Sequence, residues 1–503
     1  MSTSESLRLF GPELVLGGAL LLVIFVDLAS AGRDRRGEWP ATIAMIAAAA
    51  TIVLSVGFPL LDWPGLAAQA ARPTWLFDRM LVLDPFAVFF KTLLGLSLLA
   101  AVTMSLASRE IGQSRNQGEY YTVLLGSTLG MFLMASASHL LMAYLALEFV
   151  SLTSYVLTGF LRHNRRSSEA ALKYLIYGGV ASGAMIFGMS WIYGLAGSMD
   201  YARIGAALAT LPDGNRLALF LATVLVLTGF GYKIAAVPFH MWAPDVYTGA
   251  PLPVTTFLAV GSKAAGFAML LRFFDFGVGP GGPIGGVVKV PLVELVAAVS
   301  AITMLLGNMA ALSQTNVKRL LAYSSIAHAG YALLGVAVFA ERGVAAVLLY
   351  LAVYYVMNLG AFWVALLVVN ETGREDLDAF RGLAWRGGAV ASVTLAVFLF
   401  SLAGLPPLAG FIGKLYVFAA GIQGKLYWLV VWGALNSVVS LYYYARIVKL
   451  MFLDQPTADD RPVRFPAADL GAVTVLSVLT IYLGVRFEWL YQTAVAASRL
   501  FKG

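Results

Sequence analysis

The chain has 503 residues, of which 60% are hydrophobic and 12% are charged, and its formal net charge is +7. This composition lies far outside the range of soluble globular proteins. At about 20 residues per spanning helix, the length accommodates more than a dozen membrane spans but no sizeable soluble domain. The basic residues stand in small groups between apolar segments, which is not the pattern of a nucleic-acid-binding protein. The sequence therefore predicts an all-α polytopic membrane protein.

The chain contains no cysteine and only four histidines, at positions 139, 163, 240 and 328. It therefore has neither a thiolate cluster nor the ligand spacing of an iron–sulfur or closed zinc site. We expect no cofactor in this chain, so any redox cofactor would belong to a partner.

Apolar segments predict fourteen spanning helices. They cover about 11–31, 40–60, 84–107, 121–138, 139–160, 172–196, 217–240, 252–274, 291–313, 319–340, 343–369, 388–420, 425–452 and 466–490. The longest basic clusters, at 33–36 and 162–166, follow odd-numbered spans and so fall on the same side. Because basic loops stay in the cytoplasm, both termini are predicted to lie outside it.

Four ionisable residues lie deep within apolar segments, namely Glu148, Lys233, Lys263 and Lys414. A charge near the middle of a bilayer costs about 3 kcal/mol or more, and chains that keep one commonly use it to move ions or protons. Glu148 would be protonated unless a cation or a water path supported its charge, and we expect Lys233 to supply the cation through direct contact. Lys91 is close enough to a helix end for its own side chain to reach the head groups.

Prolines interrupt two of the spans that carry these lysines. Pro238 follows Lys233 in the seventh span, and Pro406-Pro407 precede Lys414 in the twelfth. Broken helices occur at membrane depth where freed backbone groups meet protein or water, and transporters place ion sites there. Two such spans five apart predict two inverted five-helix repeats, spans four to eight and nine to thirteen. The predicted division of the chain is 1–120, 121–274, 291–453 and 454–503.

Two histidines are candidate supporting groups. His328 is surrounded at helical spacing by Ser324, Ser325 and Tyr331, which could order a water chain around an imidazole that titrates near neutrality. His240 closes the Lys233 helix seven residues after that lysine and is predicted to lie on the same face. A hydrogen-bonded structural role remains the alternative for each histidine.

Several segments closely resemble subunit N of bacterial respiratory complex I, the NADH–quinone oxidoreductase. The match runs from about Tyr121 to Leu453, and the segments that carry it are LMAYLALEFVSLTSYVLTGF, EAALKYLIYGG, GFGYKIAAVPFHMWAPDVYTGAPLPVTTFLAVGSKAAG, NVKRLLAYSSIAHAGYALLG, SLAGLPPLAGFIGKLYVF and LNSVVSLYYYARIVKLMF. The same family includes subunits L and M and the Mrp-type antiporters. The resemblance implies fourteen helices with inverted repeats and proton translocation.

The resemblance assigns individual residues. Glu148 matches the fifth-helix glutamate and Lys233 the seventh-helix lysine of the family. Lys263 matches the eighth-helix lysine, where subunits L and M typically have histidine, and Lys414 matches the twelfth-helix lysine, where subunit M has glutamate. Lys173, in LKYLIYGG, also matches a family lysine.

The resemblance further implies a subunit of a proton-translocating enzyme complex in the bacterial inner membrane. Its expected partners are the lipid bilayer, membrane subunits resembling K, M, L, J, A and H, and a peripheral arm. FMN and iron–sulfur clusters are expected in those partners, with quinone as the substrate of the complex. Glu148 and Lys233 would form a coupled pair, Lys263 would carry the proton across the centre, and Lys414 would release it. No covalent step is expected in this chain.

Two alternatives come from other functional classes. An Mrp-type cation/proton antiporter subunit would use nearly the same residues, although Lys263 argues against it. A purely structural subunit would not need four charges near the middle of the membrane.

Overall fold

The computed structural model describes residues 2–30, 38–57, 65–70, 72–114, 116–274, 292–457 and 461–499. The predicted basic cluster at 33–36 lies outside the described residues. So do the predicted span ends at 31, 60 and 291 and the terminal residue 503.

The described residues form α-helices joined by short connections. They are α1 Thr3–Leu9, α2 Gly11–Ala29, α3 Glu38–Val56, α4 Gly65–Gln69, α5 Pro85–Ala107, α6 Arg109–Gly112, α7 Gln117–Ser136, α8 Leu140–Thr158, α9 Arg165–Ala196, α10 Tyr201–Ala209, α11 Arg216–Ile234, α12 Trp242–Gly249, α13 Leu252–Phe257, α14 Lys263–Phe273, α15 Leu292–Leu312, α16 Val317–Ala337, α17 Glu341–Thr372, α18 Ala389–Ala403, α19 Ala409–Gln423, α20 Tyr427–Phe452, α21 Ala467–Val485 and α22 Glu488–Ser498. A small antiparallel hairpin, β1 Thr74–Leu76 and β2 Leu81–Leu83, pairs Thr74 with Leu83.

The predicted all-α polytopic class is confirmed. Within the described residues, eleven helical segments are long and apolar enough to cross a membrane. They are α2, α3, α5, α8, α9, α11, the continuous stretch Leu252–Phe273, α15, α16, α17 and α21. The long helices α7 and α20 occupy the predicted fourth and thirteenth spans, and the shorter apolar helices α18 and α19 share the twelfth. The count of fourteen and the inverted repeat stay predictions.

Both predicted interruptions are present. Helix α11 ends at Ile234 and α12 begins at Trp242, while α18 ends at Ala403 and α19 begins at Ala409. Proline lacks an N–H group and clashes with the preceding turn, so neither span continues through its prolines. At the first break the Trp242 indole donates to the Tyr232 carbonyl at 2.9 Å, so this carbonyl has a side-chain partner within the protein.

Helices of the interior and of the periphery differ in burial. Leu252–Phe273 is buried along its whole length, and α16 and α17 are nearly so. By contrast, α2, α9 and α21 turn large apolar side chains outward, for example Phe25 and Val180. Such faces suit lipid tails or other membrane helices. The central helices therefore form a protected environment in which charged side chains are shielded from lipid.

Two ion pairs are buried among these helices. Lys91 of α5 lies 2.7 Å from the Glu13 carboxylate of α2, and both side chains are essentially inaccessible. Arg272 of α14 forms two 2.8 Å hydrogen bonds with Asp84, again with both side chains inaccessible. The expectation that Lys91 reaches the head groups is therefore wrong. Helix α2 places a carboxylate beside the lysine, which removes the need to extend toward water.

The Lys91 pair generates a stability prediction. Replacing Lys91 with alanine leaves Glu13 buried without its counter-ion, which costs about 3–5 kcal/mol when one partner of a buried pair is removed. We expect Lys91→Ala to lower the thermal unfolding midpoint of the detergent-purified protein, and the double variant Lys91→Met with Glu13→Gln to recover most of it. The exposed Lys425 provides a matched control, Lys425→Ala. Equal midpoints for Lys91→Ala and Lys425→Ala would contradict the role of the pair.

Candidate functional site

The first candidate group joins α11 to α8. Lys233 lies in the last turn of α11, directly before the break, and is almost fully buried. Its Nζ donates to Ser151 Oγ of α8 at 3.3 Å. Glu148 lies one turn before Ser151, close enough for its charge to act on Lys233.

The predicted direct contact between Glu148 and Lys233 is not made in this structure. The Glu148 side chain is only partly buried, and its Oε1 has no hydrogen-bond partner. Ser151, by contrast, is buried on the face of α8 that Lys233 reaches. The lysine therefore bonds to a neutral hydroxyl one turn away from the carboxylate, and the two charges interact across that turn.

Lys263 forms the second group, at the centre of the chain. It begins α14 directly after the π-helical turn Leu258–Ser262, a local irregularity often found at functional sites. Its Nζ donates to the carbonyl oxygen of Ser325 at 2.6 Å and also to the hydroxyl of that serine. Gly266, one turn later, packs against Lys233, because a Cβ there would lie 3.2 Å from Lys233 Cγ. The first turn of α14 therefore carries Lys263 and also packs against Lys233.

His328 of α16 has a hydroxyl partner for each ring nitrogen. Nδ1 lies 2.6 Å from the Tyr350 hydroxyl, and Nε2 lies 3.3 Å from the Tyr444 hydroxyl. The Tyr444 hydroxyl is in turn hydrogen-bonded to Ser324 Oγ. The predicted serines therefore lie near His328, but its direct hydrogen-bond partners are Tyr350 of α17 and Tyr444 of α20.

Lys414 of α19 occupies the second break. Its Nζ donates to the carbonyl oxygen of Ala403 and to Ser437 Oγ, each at 2.8 Å. Nζ also lies 4.7 Å from the centre of the Tyr331 ring. Ala403 is the last residue of α18, where carbonyls lose their intrahelical partners and the helix dipole is negative. The interruption thus creates the acceptor for the ammonium group.

Lys173, the remaining predicted lysine, has a different set of contacts from those of Lys233, Lys263 and Lys414. It contacts Glu169 of its own helix and Asp245 of α12, each at 2.8 Å, and Arg319 of α16 donates to the same aspartate at 2.7 Å. Partial burial acts to raise the pKa of Asp245, but the hydrogen bonds from Lys173 and Arg319 outweigh it and hold that pKa below its ordinary value. Lys173 therefore ties α9 to the segment after the first break.

The prediction that His240 shares a helical face with Lys233 is wrong. Helix α11 ends at Ile234, so His240 lies in the connection that precedes α12. Its side chain is buried, and its Nδ1 has no hydrogen-bond partner. The helix that carries Lys233 ends at Ile234, before Pro238, so the helical spacing does not extend to His240.

Several residues of the site were not singled out from the sequence. Ser151 accepts a hydrogen bond from Lys233, and Ser437 accepts one from Lys414. Tyr350 and Tyr444 are hydrogen-bonded to His328. Gly266 lacks a side chain and so leaves room for Lys233. For the serines and tyrosines the only sequence signal is a polar residue within an apolar span, and Gly266 lacks even that. Which of the many serines and tyrosines contacts a lysine depends on how the helices pack.

The arrangement can bind and release protons at several buried points. Lysine and histidine exchange protons, and the intervening serine and tyrosine hydroxyls can both donate and accept hydrogen bonds. Across the described part of the chain, no cluster of three or more histidine, aspartate or glutamate side chains is arranged to hold a metal ion. Lys233, Lys263, His328 and Lys414 therefore form a buried row of titratable side chains, here called the central row, between two broken helices. This arrangement fits the antiporter-like class of membrane subunits.

Comparison with known proteins identifies the family. Residues 137–440 match the family model described as NADH:quinone oxidoreductase/Mrp antiporter, TM. The chain is 44% identical to the NADH-quinone oxidoreductase subunit N of Anaeromyxobacter sp., with 98% of this chain and 97% of the relative covered. It is 46% identical to subunit N 2 of Chloroherpeton thalassium, with 95% and 92% covered. The chain belongs to the subunit N family of NADH-quinone oxidoreductases.

Solved structures show the same fold. A chain of respiratory complex I from Thermus thermophilus is 30% identical and superposes with a TM-score of 0.77, covering 96% of this chain and 99% of that one. A chain of the Mrp complex from Dietzia sp. is 22% identical, with a TM-score of 0.83 and coverage of 99% and 97%. The second similarity shows the fold alone.

Gly266 provides a test of the packing around the lysines. A Cβ at this position would lie 2.9 Å from Ile234 Cγ2 and 3.2 Å from Lys233 Cγ, so Gly266→Ala forces these groups to move. Overpacking of this kind costs about 1–3 kcal/mol. We expect a lower thermal unfolding midpoint for Gly266→Ala than for Gly179→Ala, since the Cβ of the latter meets open space. An unchanged midpoint for Gly266→Ala would show that the helices are not in close contact there.

Proposed function

We propose that the chain is the proton-translocating membrane subunit of an NADH–quinone oxidoreductase. The observation that carries this proposal is the buried row of Lys233, Lys263, His328 and Lys414, which runs from one broken helix to the other. Relatives named NADH-quinone oxidoreductase subunit N cover nearly the whole chain. The subunit contributes to the enzyme by moving protons, while the redox chemistry takes place in partner subunits.

The proposed steps follow the contacts of the row. Glu148 modulates the charge on Lys233, which exchanges its proton through the Ser151 hydroxyl and adjoining water. Lys263 receives the proton at the centre and passes it through the hydroxyls near Ser325 toward His328. Lys414 then holds the proton at the second break and releases it to the far side. Lysine suits these steps because it can lose its proton when buried, whereas arginine cannot.

The supporting residues have separate proposed roles. Lys173 anchors the segment after the first break through Asp245, so its replacement would act on the position of α12. His240 has an unpartnered buried nitrogen beside that break and could bind water there. His328 links the central lysine to the second break through its two tyrosine hydroxyls.

The proposed organisation retains the sequence-based divisions at 1–120, 121–274, 291–453 and 454–503, with 121–274 and 291–453 as the inverted repeats. The positions of the two breaks support it. We place the chain in the bacterial inner membrane, beside membrane subunits resembling K, M, L, J, A and H and a peripheral arm. FMN and iron–sulfur clusters belong to those partners in this proposal, and quinone is their substrate.

The central prediction concerns the two lysines beyond the first break. Lys263→Ala and Lys414→Ala each remove a proton carrier and leave a small apolar residue, and loss of a positioned proton-transfer group costs about 100-fold in its step. We expect strongly reduced NADH-driven proton uptake in vesicles, normalised to assembled complex, with assembly retained. Lys425→Ala, at an exposed lysine, is the control. Normal uptake in both variants would refute the path, and sodium-coupled exchange without NADH-driven uptake would favour an Mrp-type antiporter.

A second prediction addresses the coupling of Glu148 and Lys233 across Ser151. Lys233→Ala removes the positive charge that supports the ionised carboxylate, so a further Glu148→Gln change should cost little more. The double variant should deviate from additivity by about 1 kcal/mol or more in transition-state free energy. Rates of NADH-driven proton uptake in the single and double variants provide the measurement. Strictly additive losses would show that the residues act independently.

A third prediction concerns orientation. Arg109, Arg166 and Arg374 come from different loops after odd-numbered spans and line one cavity, which supports a common membrane face for these loops. We assign that face to the cytoplasm and both termini to the opposite side. A single cysteine placed at Arg165, in this cysteine-free chain, should react with an impermeant maleimide only from the cytoplasmic side. Labelling only from the periplasmic side would reverse the assignment.

A further inference from the structure

Lys318 is a fifth buried lysine among the described residues, and the proposed path does not use it. It lies in the first turn of α16, and its side chain is only 3% exposed. Its Nζ donates to the Glu375 carboxylate at 3.0 Å and to the carbonyl oxygen of Ala250 at 2.9 Å. The ammonium group is thus held between a carboxylate on one side and the start of the Leu252–Phe273 stretch on the other.

Glu375 faces a cavity of about 700 Å³ on the side that we assign to the cytoplasm. The segment that carries it is fixed to the start of α16, since Val317 N donates to the Glu375 carbonyl at 2.9 Å. Asn316 Nδ2 also donates to the second carboxylate oxygen at 3.1 Å. The Glu375 side chain is 23% exposed, so its carboxylate contacts both the cavity and the buried Lys318.

Unpartnered polar groups lie near Ser325, the partner of Lys263, and one of them, Tyr247, lies one turn before Ala250, the partner of Lys318. Within the described residues, the Tyr247 and Tyr354 hydroxyls and both polar atoms of the Asn358 side chain are buried without a hydrogen-bond partner. Both tyrosines lie close to Ser325, which accepts hydrogen bonds from Lys263. Buried polar atoms of this kind are commonly satisfied by ordered water. A short water chain from Ala250 past Tyr247 to Ser325 would therefore satisfy these polar groups and connect the two lysines.

We propose that Glu375 and Lys318 form the cytoplasmic entrance of a proton-uptake route to Lys263. Glu375 takes a proton from water in the cavity, and Lys318 gives its own proton inward to the water and hydroxyl chain that ends at Ser325 and Lys263. The neutral Lys318 amine then takes the proton from Glu375, which restores the ion pair. One proton enters and one moves inward in each cycle. This inference rests on the proposed function of Lys263.

The test separates proton transfer from simple structural support. Glu375→Gln keeps the shape and the hydrogen bonding but cannot carry a proton in the same way, while Glu375→Asp keeps the acid. Lys318→Arg keeps the positive charge and the donors but does not release a proton near neutral pH. Asp376→Asn is the control, because Asp376 lines the same cavity and its partner Arg374 is at the surface.

NADH-driven proton uptake is measured in vesicles with the assembled complex, beside the Lys263→Ala variant. We expect Glu375→Gln and Lys318→Arg to fall to the level of Lys263→Ala, and Glu375→Asp and Asp376→Asn to retain most of the uptake. Normal uptake in Glu375→Gln or in Lys318→Arg would overturn the inference. A loss of uptake in Asp376→Asn as large as that in Glu375→Gln would also overturn it. If Lys263→Ala itself pumps normally, the proposed function fails, which is a separate outcome from failure of the entrance alone.

Discussion

A buried ammonium group must find oxygen acceptors inside the protein, and the architecture depends on this constraint. Lipid supplies no acceptor, and a regular helix uses nearly all of its carbonyls internally. Lys414 is accommodated by the carbonyl oxygen of Ala403, which the second break frees, and Lys318 by that of Ala250, the residue that follows the end of α12. Lys263 follows a π-helical turn. Backbone irregularity and buried charge therefore occur together.

The buried charges fall into two kinds with different consequences. Lys91 and Arg272 are each paired with a carboxylate that is equally inaccessible, and these ion pairs join helices. Lys263 and Lys414 instead contact carbonyl and hydroxyl oxygens, which stabilise a positive charge without neutralising it. A lysine with neutral partners can lose its proton without leaving a buried anion behind. In the proposed path Lys263 and Lys414 have neutral partners, whereas Lys318 is paired with Glu375, whose side chain is partly exposed.

Sequence reasoning identified the members of the central row but not all of their contacts. Prolines located both breaks, and isolated charges in apolar spans located Glu148, Lys233, Lys263 and Lys414. The expected contact between Glu148 and Lys233 is replaced by one to Ser151, because the carboxylate lies on a more exposed part of α8. Opposite charges in neighbouring spans suggest partners, but the orientation of each helix about its own axis decides which side chains can meet.

The sequence by itself determined the membrane class, the breaks, the family and the burial of Lys233, Lys263 and Lys414, because hydropathy, proline stereochemistry and charge are local properties of the chain. Tertiary structure alone decided that Lys91 meets Glu13, that His328 lies between Tyr350 and Tyr444, and that Lys318 meets Glu375. These partners are separated by many residues along the chain. Their meeting depends on the packing and rotation of whole helices, which no local pattern encodes.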